Sequence, residues 1–267
     1  MMLLDFDGES LKILILILSF LFSTGLLMAG PKTVTLATLE WPPYIGKSLP
    51  KDGYVAEIVV EAFKRSGYQT DIQFFPWPRA VHMVETGNRD GLFPEYFSVD
   101  REKKCVFSHP FPGGPVGFYK RKDARISFNG NPQKELKKVL HGLRQYRFGV
   151  VRGYINIAEF DAATYLIKDE ADSDESNIKK LHVKRIDLIF IDKLVANYII
   201  KTKHFEMTPD LEFMEPALEQ KSLHICFSKK SADYQRKLKA FNKGLKSIKA
   251  DGTINRIMSK HKSAWIN

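Results

Sequence analysis

The chain contains 267 residues, with 41 Lys and Arg against 31 Asp and Glu, which gives a formal net charge of +10. Hydrophobic residues make up 44% and aromatic residues 12%, a composition typical of one large or two smaller globular domains. These values exclude an acidic disordered tail, and two cysteines are too few for a disulfide framework. The positive charge leaves nucleic acid, an anionic surface, an anionic ligand and ordinary solvation open as explanations.

Residues 1–30 have the pattern of a secretory signal peptide. The apolar stretch 11–28 has an uninterrupted core at 13–22 and is followed by Ala29 and Gly30. This core is too short to cross a bilayer of about 30 Å as a helix, although the segment before it is acidic where signal peptides are usually basic. We predict a cleaved signal peptide and a periplasmic protein, with an uncleaved N-terminal anchor as the alternative. Because the basic residues are dispersed and no nucleic-acid-binding motif occurs, we exclude nucleic acid as a partner.

Strand and helix patterns alternate through the rest of the chain. The order β-α-β-α-β is typical of a parallel sheet with helices on both faces. The segment 108–117 contains three prolines and three glycines and predicts a crossover that is neither helix nor central strand. A second α/β cycle follows it, which predicts two lobes with a ligand cleft between them. The predicted strands are 33–38, 71–75, 90–93, 117–122, 147–151 and 223–230, and the predicted helices are 54–66, 79–86, 133–140, 157–166 and two within 232–261. Residues 185–200 are predicted as a strand followed by a helix.

Two further segments carry predictions of their own. Residues 169–176, DEADSDES, have the composition of a solvated acidic loop. Cys105 and Cys226 lie in the apolar runs KKCVFS and LHICFS, which indicate buried strands. In an oxidising compartment these cysteines could pair, but their positions favour two unpaired, buried thiols.

Motifs for nucleotide, hydrolytic and metal chemistry are absent from the sequence. It contains no P-loop, no GxGxxG after a strand, no GxSxG and no HExxH, and its seven histidines are scattered. We therefore expect no cofactor, no metal and no catalytic residue, and a binding protein rather than an enzyme.

Several short motifs occur in a characteristic order along residues 33–261: TLATLEWPPYIG, GYVAEIVVEAFKRSGY, NRDGLFPEYFSVDREKKCVFSHPF, FGVVRGY, RIDLIFIDKLVANY and DGTINRIMSKH. In this order they resemble the periplasmic solute-binding proteins of family 3, which deliver amino acids and related polar solutes to ABC importers. The resemblance implies a two-lobed α/β fold, each lobe a mostly parallel sheet flanked by helices, joined by two crossover strands. The implied segments are lobe 1 at 31–110, lobe 2 at 111–217 and a return to lobe 1 at 218–267.

The resemblance also implies ligand-binding charges. Arg101 matches the arginine that grips a ligand α-carboxylate, a task suited to the planar guanidinium; a surface arginine is the alternative. Asp192 matches the acid that accepts from a ligand ammonium, with capping of the following helix as the competing role. Arg152 is a further candidate anion partner, beside Gly153 and Tyr154, which match a turn whose N–H groups complement an anionic ligand group.

Aromatic residues complete the implied site. Trp41 and Trp77, each flanked by proline, match aromatics that sandwich the ligand side chain, with core packing as the alternative. Tyr44 and Tyr96 lie in the neighbouring motifs and are further candidates. Glu95 departs from the family pattern of small hydroxyl residues, so it could bind an ammonium or select a cationic or hydroxylated ligand. The alternative is an ion pair between Glu95 and either of two arginines, Arg79 or Arg101.

The function implied is non-catalytic binding of a small molecule, an amino acid or a related carboxylate or amine, by closure of two lobes. The expected partners are the membrane subunits of an ABC importer, and the expected state is a monomer. One alternative is a dehydratase-like enzyme on the same fold, with Glu95 or Asp192 as general acid. A second alternative is a sensory protein that presents its ligand to a receptor.

Overall fold

A computed structural model describes residues 32–266 of the chain, so the predicted signal peptide at 1–30 lies outside the described residues. The strands are β1 (Lys32–Thr38), β2 (Tyr68–Phe74), β3 (Gly91–Glu95), β4 (Cys105–Phe107), β5 (Phe111–Arg121), β6 (Arg147–Val151), β7 (Ile167–Ala171), β8 (Leu188–Asp192), β9 (Leu211–Phe213) and β10 (Glu219–Ser228). The helices are α1 (Tyr54–Lys64), α2 (Trp77–Glu85), α3 (Val99–Glu102), α4 (Leu136–Gly142), α5 (Ala158–Ala162), α6 (Asp174–His182), α7 (Lys193–Lys203), α8 (Tyr234–Ala250) and α9 (Thr253–Ile266). Within this part of the chain, none of the helices is both long and apolar enough to span a bilayer.

The strands form a sheet of order β2-β1-β3-β10-β5-β8-β6-β7, with β4 paired to β10 and β9 paired to β5. The pairs β1–β3, β6–β7 and β6–β8 are parallel, whereas β10–β3, β10–β5 and β5–β8 are antiparallel. We call β1 to β4 with α1 to α3 the first half, and β6 to β9 with α4 to α7 the second half. The long strands β5 and β10 connect the two halves. The sheet as a whole is mixed, because these two connecting strands run against their neighbours.

Each half has its own aromatic core. In the second half, the rings of Phe118 and Phe148 have centroids 5.2 Å apart, and Phe160 lies 5.5 Å from Phe148. On the side of the first half, Phe63 of α1 lies 5.3 Å from Phe241 of α8. These distances are those of favourable aromatic packing. Strands β3 and β8 are buried along their whole length, as expected of central strands covered on both faces. The lobe boundaries at 31–110, 111–217 and 218–267 stay a prediction.

The predicted crossover at 108–117 is wrong in part, because a long central strand begins inside it at Phe111. Pro112 and Pro115 are tolerated because this end of β5 pairs only with β10, while pairing with β8 begins at Val116. A proline has no N–H to donate, and a strand with a single neighbour does not need that donor at every position.

The acidic loop predicted at 169–176 is also wrong. Residues 167–171 form the strand β7, which pairs only with β6 and is therefore an edge strand, where charged side chains can reach water. The helix α6 then begins at Asp174, and the Ser173 hydroxyl accepts from the N–H of Ser176. A serine cap followed by acids in the first turn is a helix start signal, because the helix dipole favours negative charge there.

The expectation of two unpaired thiols is corrected by the structure, in which Cys105 and Cys226 form a disulfide. Both cysteines are buried in strands, as predicted. However, β4 and β10 are neighbours, with Cys226 opposite Phe107 and Ser228 opposite Cys105. This register brings the Cα atoms of the two cysteines to 5.5 Å, within the usual range for a disulfide.

Candidate ligand-binding site

A small cavity of about 30 Å³ lies between the two halves of the fold. Most of its residues lie at or just after the carboxyl ends of β1, β2, β3 and β6, which is where α/β sheets place their ligands. The remaining side of the cavity is formed by β10. The lining residues are Leu39, Trp41, Trp77, Pro94, Glu95, Tyr96, Tyr154, Ile155 and Leu223.

Two tryptophans of the first half close the cavity by hydrogen bonds to the second half. Trp41 Nε1 donates to Asp174 Oδ2 at 3.1 Å, and Trp77 Nε1 donates to the Gly153 carbonyl at 2.9 Å. Tyr154 packs edge-on against both indole rings, with centroid distances of 6.4 and 5.9 Å, and its hydroxyl donates to Asp174 Oδ2 at 3.4 Å. The two halves therefore contact each other through hydrogen bonds around a cavity lined by aromatic residues.

Asp192 uses its two carboxylate oxygens differently. Its Oδ1 accepts from the N–H groups of Leu194 and Val195, which caps α7 as the competing interpretation predicts. Its Oδ2 accepts from the hydroxyls of Tyr44 at 2.7 Å and Tyr96 at 3.2 Å, both in the first half. Burial raises the pKa of Asp192 to about 6, and the hydrogen bond from Tyr44 opposes that rise most among its donors. Binding of a ligand ammonium by Asp192 stays a prediction.

Glu95 and Arg101 lie side by side, which supports the predicted ion pair with Arg101 rather than with Arg79. Arg101 Nε lies 3.4 Å from Glu95 Oε2, and its other nitrogens contact Glu85 at 3.6 Å and the Gly153 carbonyl at 3.1 Å. Burial raises the pKa of Glu95 to about 7, although the Arg101 charge lowers it. Among the described residues, Glu95 lines the cavity and Arg101 does not. The role of Arg101 in gripping a ligand carboxylate stays a prediction.

Asp174 belongs to the site but was missed by sequence reasoning, which assigned it to a solvated loop. It is only 7% exposed, and burial raises its pKa to about 7 against the hydrogen bond from Trp41. Its position in the first turn of α6 places its carboxylate toward the first half, where Trp41 donates to it. The signal that could have found it is the serine cap before it.

The turn after β6 differs in chemistry from the prediction. Arg152 is exposed and pairs with Glu170 at 3.1 Å and Asp172 at 3.2 Å, so the structure does not bring it to the cavity. Gly153 adopts φ of 77°, in the left-handed region that glycine favours. Its carbonyl accepts from Trp77 and an arginine, and the next helix begins only at Ala158. The turn therefore presents an acceptor where N–H donors were predicted.

Gly114 on β5 lets the two halves approach, because a Cβ there would lie 2.0 Å from the Tyr44 hydroxyl and 2.8 Å from Asp192 Oδ2. We expect Gly114→Ala to separate these two groups and to lower the free energy of unfolding by about 1–3 kcal/mol, the cost of a buried polar group left unpaired. Denaturant unfolding would measure this loss. Gly142→Ala is the matched control, because its Cβ would meet its nearest neighbour at 3.7 Å. Equal stability of the two variants would contradict this interpretation of Gly114.

The fold and the aromatic cavity between its halves define a two-lobed solute-binding protein. The chain belongs to the bacterial extracellular solute-binding proteins, family 3, whose family model matches residues 35–264. The family predicted from the motif order is thereby confirmed.

One sequence relative and two solved structures illustrate the similarity, each at 23% identity or less. The L-cystine-binding protein TcyJ of Escherichia coli strain K12 is 23% identical over 223 residues, covering 82% of this chain and 78% of that protein. A histidine kinase sensor domain with similarity to periplasmic binding proteins superposes with a TM-score of 0.72 at 17% identity, covering 88% of this chain and 96% of that domain. A structure from work on glutathione import via GshT and the cystine importer TcyBC of Streptococcus mutans has a TM-score of 0.70 at 20% identity, covering 86% and 94%. These structures confirm the predicted two-lobed α/β fold.

Proposed function

We propose that the protein binds a small polar solute, an amino acid or a related amine or carboxylate, by closing its two lobes around it. The observation that carries this proposal is the cavity, closed by hydrogen bonds from Trp41 to Asp174 and from Trp77 to Gly153. A volume of about 30 Å³ holds a water or two, whereas solute pockets measure about 300–1,000 Å³. A solute must therefore separate the halves and replace these bonds, which couples binding to lobe movement.

The proposed setting is the periplasm, with delivery of the solute to the membrane subunits of an ABC importer and a monomeric binding protein. Membership of an extracellular solute-binding family supports the setting, as does the signal peptide predicted at residues 1–30. Import is further supported by the names of relatives, which include a cystine-binding protein and an arginine-binding protein.

Thermal denaturation with a panel of amino acids, amines and small carboxylates tests the proposal. A solute at about 100 times its Kd should stabilise the protein by about 2.7 kcal/mol, which raises Tm by roughly 5–10 °C for a chain of this size. Trp41→Ala should abolish the shift, because it removes a lining ring and the bond to Asp174. Phe205→Ala is the control, since this ring is 72% exposed and outside the cavity. A panel without any shift, or full binding by Trp41→Ala, would overturn the proposal.

A dehydratase-like enzyme is the second candidate, favoured by one specific observation. Glu95 lines the cavity and has its pKa raised to about 7, which suits a general acid at neutral pH. Incubation with prephenate-like cyclic carboxylic acids, followed by detection of aromatic product, tests this candidate. Turnover that Glu95→Gln removes would favour the enzyme over the binding protein.

Presentation of the solute to a receptor is the third candidate, and the fold shared with a histidine kinase sensor domain favours it. The distinguishing measurement is capture of the closed, solute-bound protein by purified membrane partners. Retention by a receptor and not by importer subunits would favour the sensory role.

A further inference from the structure

The cavity presents negative charge, although the chain as a whole is positive. Glu95, Asp174 and Asp192 are 2%, 7% and 4% exposed. Glu95 lines the cavity directly, while the other two acids each accept a hydrogen bond from a lining aromatic residue. Within residues 32–266, Asp174 and Asp192 form no ion pair with a Lys, Arg or His. The Arg101 side chain, which is 12% exposed, is directed to the carboxylates of Glu85 and Glu95 and to the Gly153 carbonyl.

Glu95 also carries an unsatisfied acceptor. Its Oε2 is fully buried and has no hydrogen-bond partner. Arg101 Nε, 3.4 Å away, is close enough for an ion pair but makes no hydrogen bond with it. A buried carboxylate oxygen without a donor is costly, so native proteins rarely keep one outside a functional site. An ammonium group in the cavity would add a second cation beside Glu95, whose Oε2 Arg101 Nε faces at 3.4 Å.

Separation of the halves removes hydrogen-bond donors from the other two acids, Asp174 and Asp192. Both donors to Asp192 Oδ2, Tyr44 and Tyr96, belong to the first half, whereas Asp192 belongs to the second. Trp41 likewise donates to Asp174 across the two halves. On separation Asp174 keeps the donor Tyr154, and Asp192 keeps the N–H groups at its Oδ1. A solute that enters between the halves therefore has to replace the donors that Asp174 Oδ2 and Asp192 Oδ2 lose from the first half. A cationic nitrogen meets this requirement better than a neutral group, because charge-assisted hydrogen bonds are the stronger ones.

The aromatic residues that line the cavity suit a cation as well. Trp41, Trp77, Tyr96 and Tyr154 line it. The faces of aromatic rings attract ammonium and guanidinium groups. Outside the cavity, Lys221 Nζ lies 5.7 Å from the Tyr96 ring centroid and pairs with Glu219 at 3.1 Å. The positive charge of that lysine is therefore already balanced.

We propose that the site selects solutes with two cationic nitrogen centres and that recognition does not need a carboxylate. Three carboxylates and one arginine leave two negative charges when all are ionised, which a linear diamine balances and a neutral amino acid does not. The inference rests on the proposed binding function and specifies its substrate class. It differs from the role implied for Arg101, because the acid and not the arginine faces the cavity.

Matched pairs of solutes test whether a carboxylate on the solute contributes to binding. Lysine and cadaverine, ornithine and putrescine, and arginine and agmatine differ by one carboxylate and share the same amine or guanidinium end. Calorimetric titration of the purified full-length mature protein should give each decarboxylated amine a Kd less than tenfold weaker than that of its amino acid. Glutamine and glutamate are controls with a neutral and an acidic side chain. Both should bind at least 100-fold more weakly than the best dication.

Isosteric variants identify the carboxylates that bind the cations. Glu95→Gln, Asp174→Asn and Asp192→Asn should each weaken diamine binding by about 10- to 150-fold, the usual value of a hydrogen bond to a charged group. Glu175→Gln is the matched control, because it removes the same charge one residue from Asp174, where the carboxylate pairs outward with Lys179 and Lys203. Thermal unfolding of each variant alone verifies that it is folded.

The outcomes separate this inference from the proposed function. Binding of amino acids with diamines tenfold or more weaker would overturn the inference and leave solute binding intact. Tighter binding of glutamine or glutamate than of any dication, or variants that bind diamines like the Glu175 control, would also overturn it. Failure of every solute to bind would overturn the proposed function itself.

Discussion

Replacement of both disulfide cysteines by alanine is expected to lower the free energy of unfolding by about 5 kcal/mol. The bond joins Cys105 to Cys226 across a sequence separation of 121, and closing so long a loop removes much conformational entropy from the unfolded chain. Both positions are 2% exposed, so alanine avoids the burial of a hydroxyl that serine would introduce. Guanidinium unfolding of the wild type and the double variant measures the difference.

Reduction provides the control for the disulfide prediction. A thiol reductant should lower the stability of the wild type toward that of the double variant and leave the variant unchanged. Equal stability of oxidised wild type and variant would show that the bond does not stabilise this fold.

Stability is expected to fall as pH rises from about 5 to about 8, opposite to the effect of a carboxylate in a salt bridge. Burial raises the pKa of Glu95 from 4.5 to about 7 and those of Asp174 and Asp192 from 3.8 to about 7 and about 6. Between the unfolded and folded values the native state binds more protons, so each added pH unit favours unfolding. The pKa shift of Glu95 alone corresponds to about 3 kcal/mol of the free energy of unfolding. This contribution is lost progressively as pH rises from about 4.5 to about 7.

The charged surroundings of these acids define the control for the pH prediction. Arg101 faces Glu95 and lowers its pKa, and His224, whose pKa is lowered by burial, contributes a change of opposite sign with pH. The informative quantity is therefore the difference between wild type and Glu95→Gln in unfolding series at pH 5, 6, 7 and 8. That difference should favour the variant increasingly with pH, and parallel profiles would contradict the prediction.

Those parts of the fold whose burial is visible in the sequence were predictable. The apolar runs that became β3 and β8 were recognised because central strands of an α/β sheet lack polar alternation. The beginning of β5 was not recognised, since the prolines at 112 and 115 are tolerated only because a neighbouring strand is missing there. Which strands have two neighbours is a property of the tertiary fold and leaves no local trace.

The site shows the same limit at the level of single side chains. Trp41 and Tyr154 were expected at the ligand site from their motifs, and the structure places both around the cavity. Asp174 was missed because it lies among four other acids and two serines in the segment 169–176, and only packing against the first half buries it. Sequence also could not decide whether Glu95 or Arg101 faces the cavity. Glu95 ends β3 and Arg101 lies in the next helix, α3, and only contacts with the second half show which side chain meets the cavity.

The two connecting strands bound the second half along the chain. The chain enters it along β5 and leaves along β10, where Pro115 lies opposite Gln220 and Val116 opposite Glu219. The disulfide joins Cys105, before β5, to Cys226 in β10, so the whole second half lies between the two cysteines along the chain. A single proteolytic cut anywhere in the second half would therefore leave two fragments that the disulfide still joins.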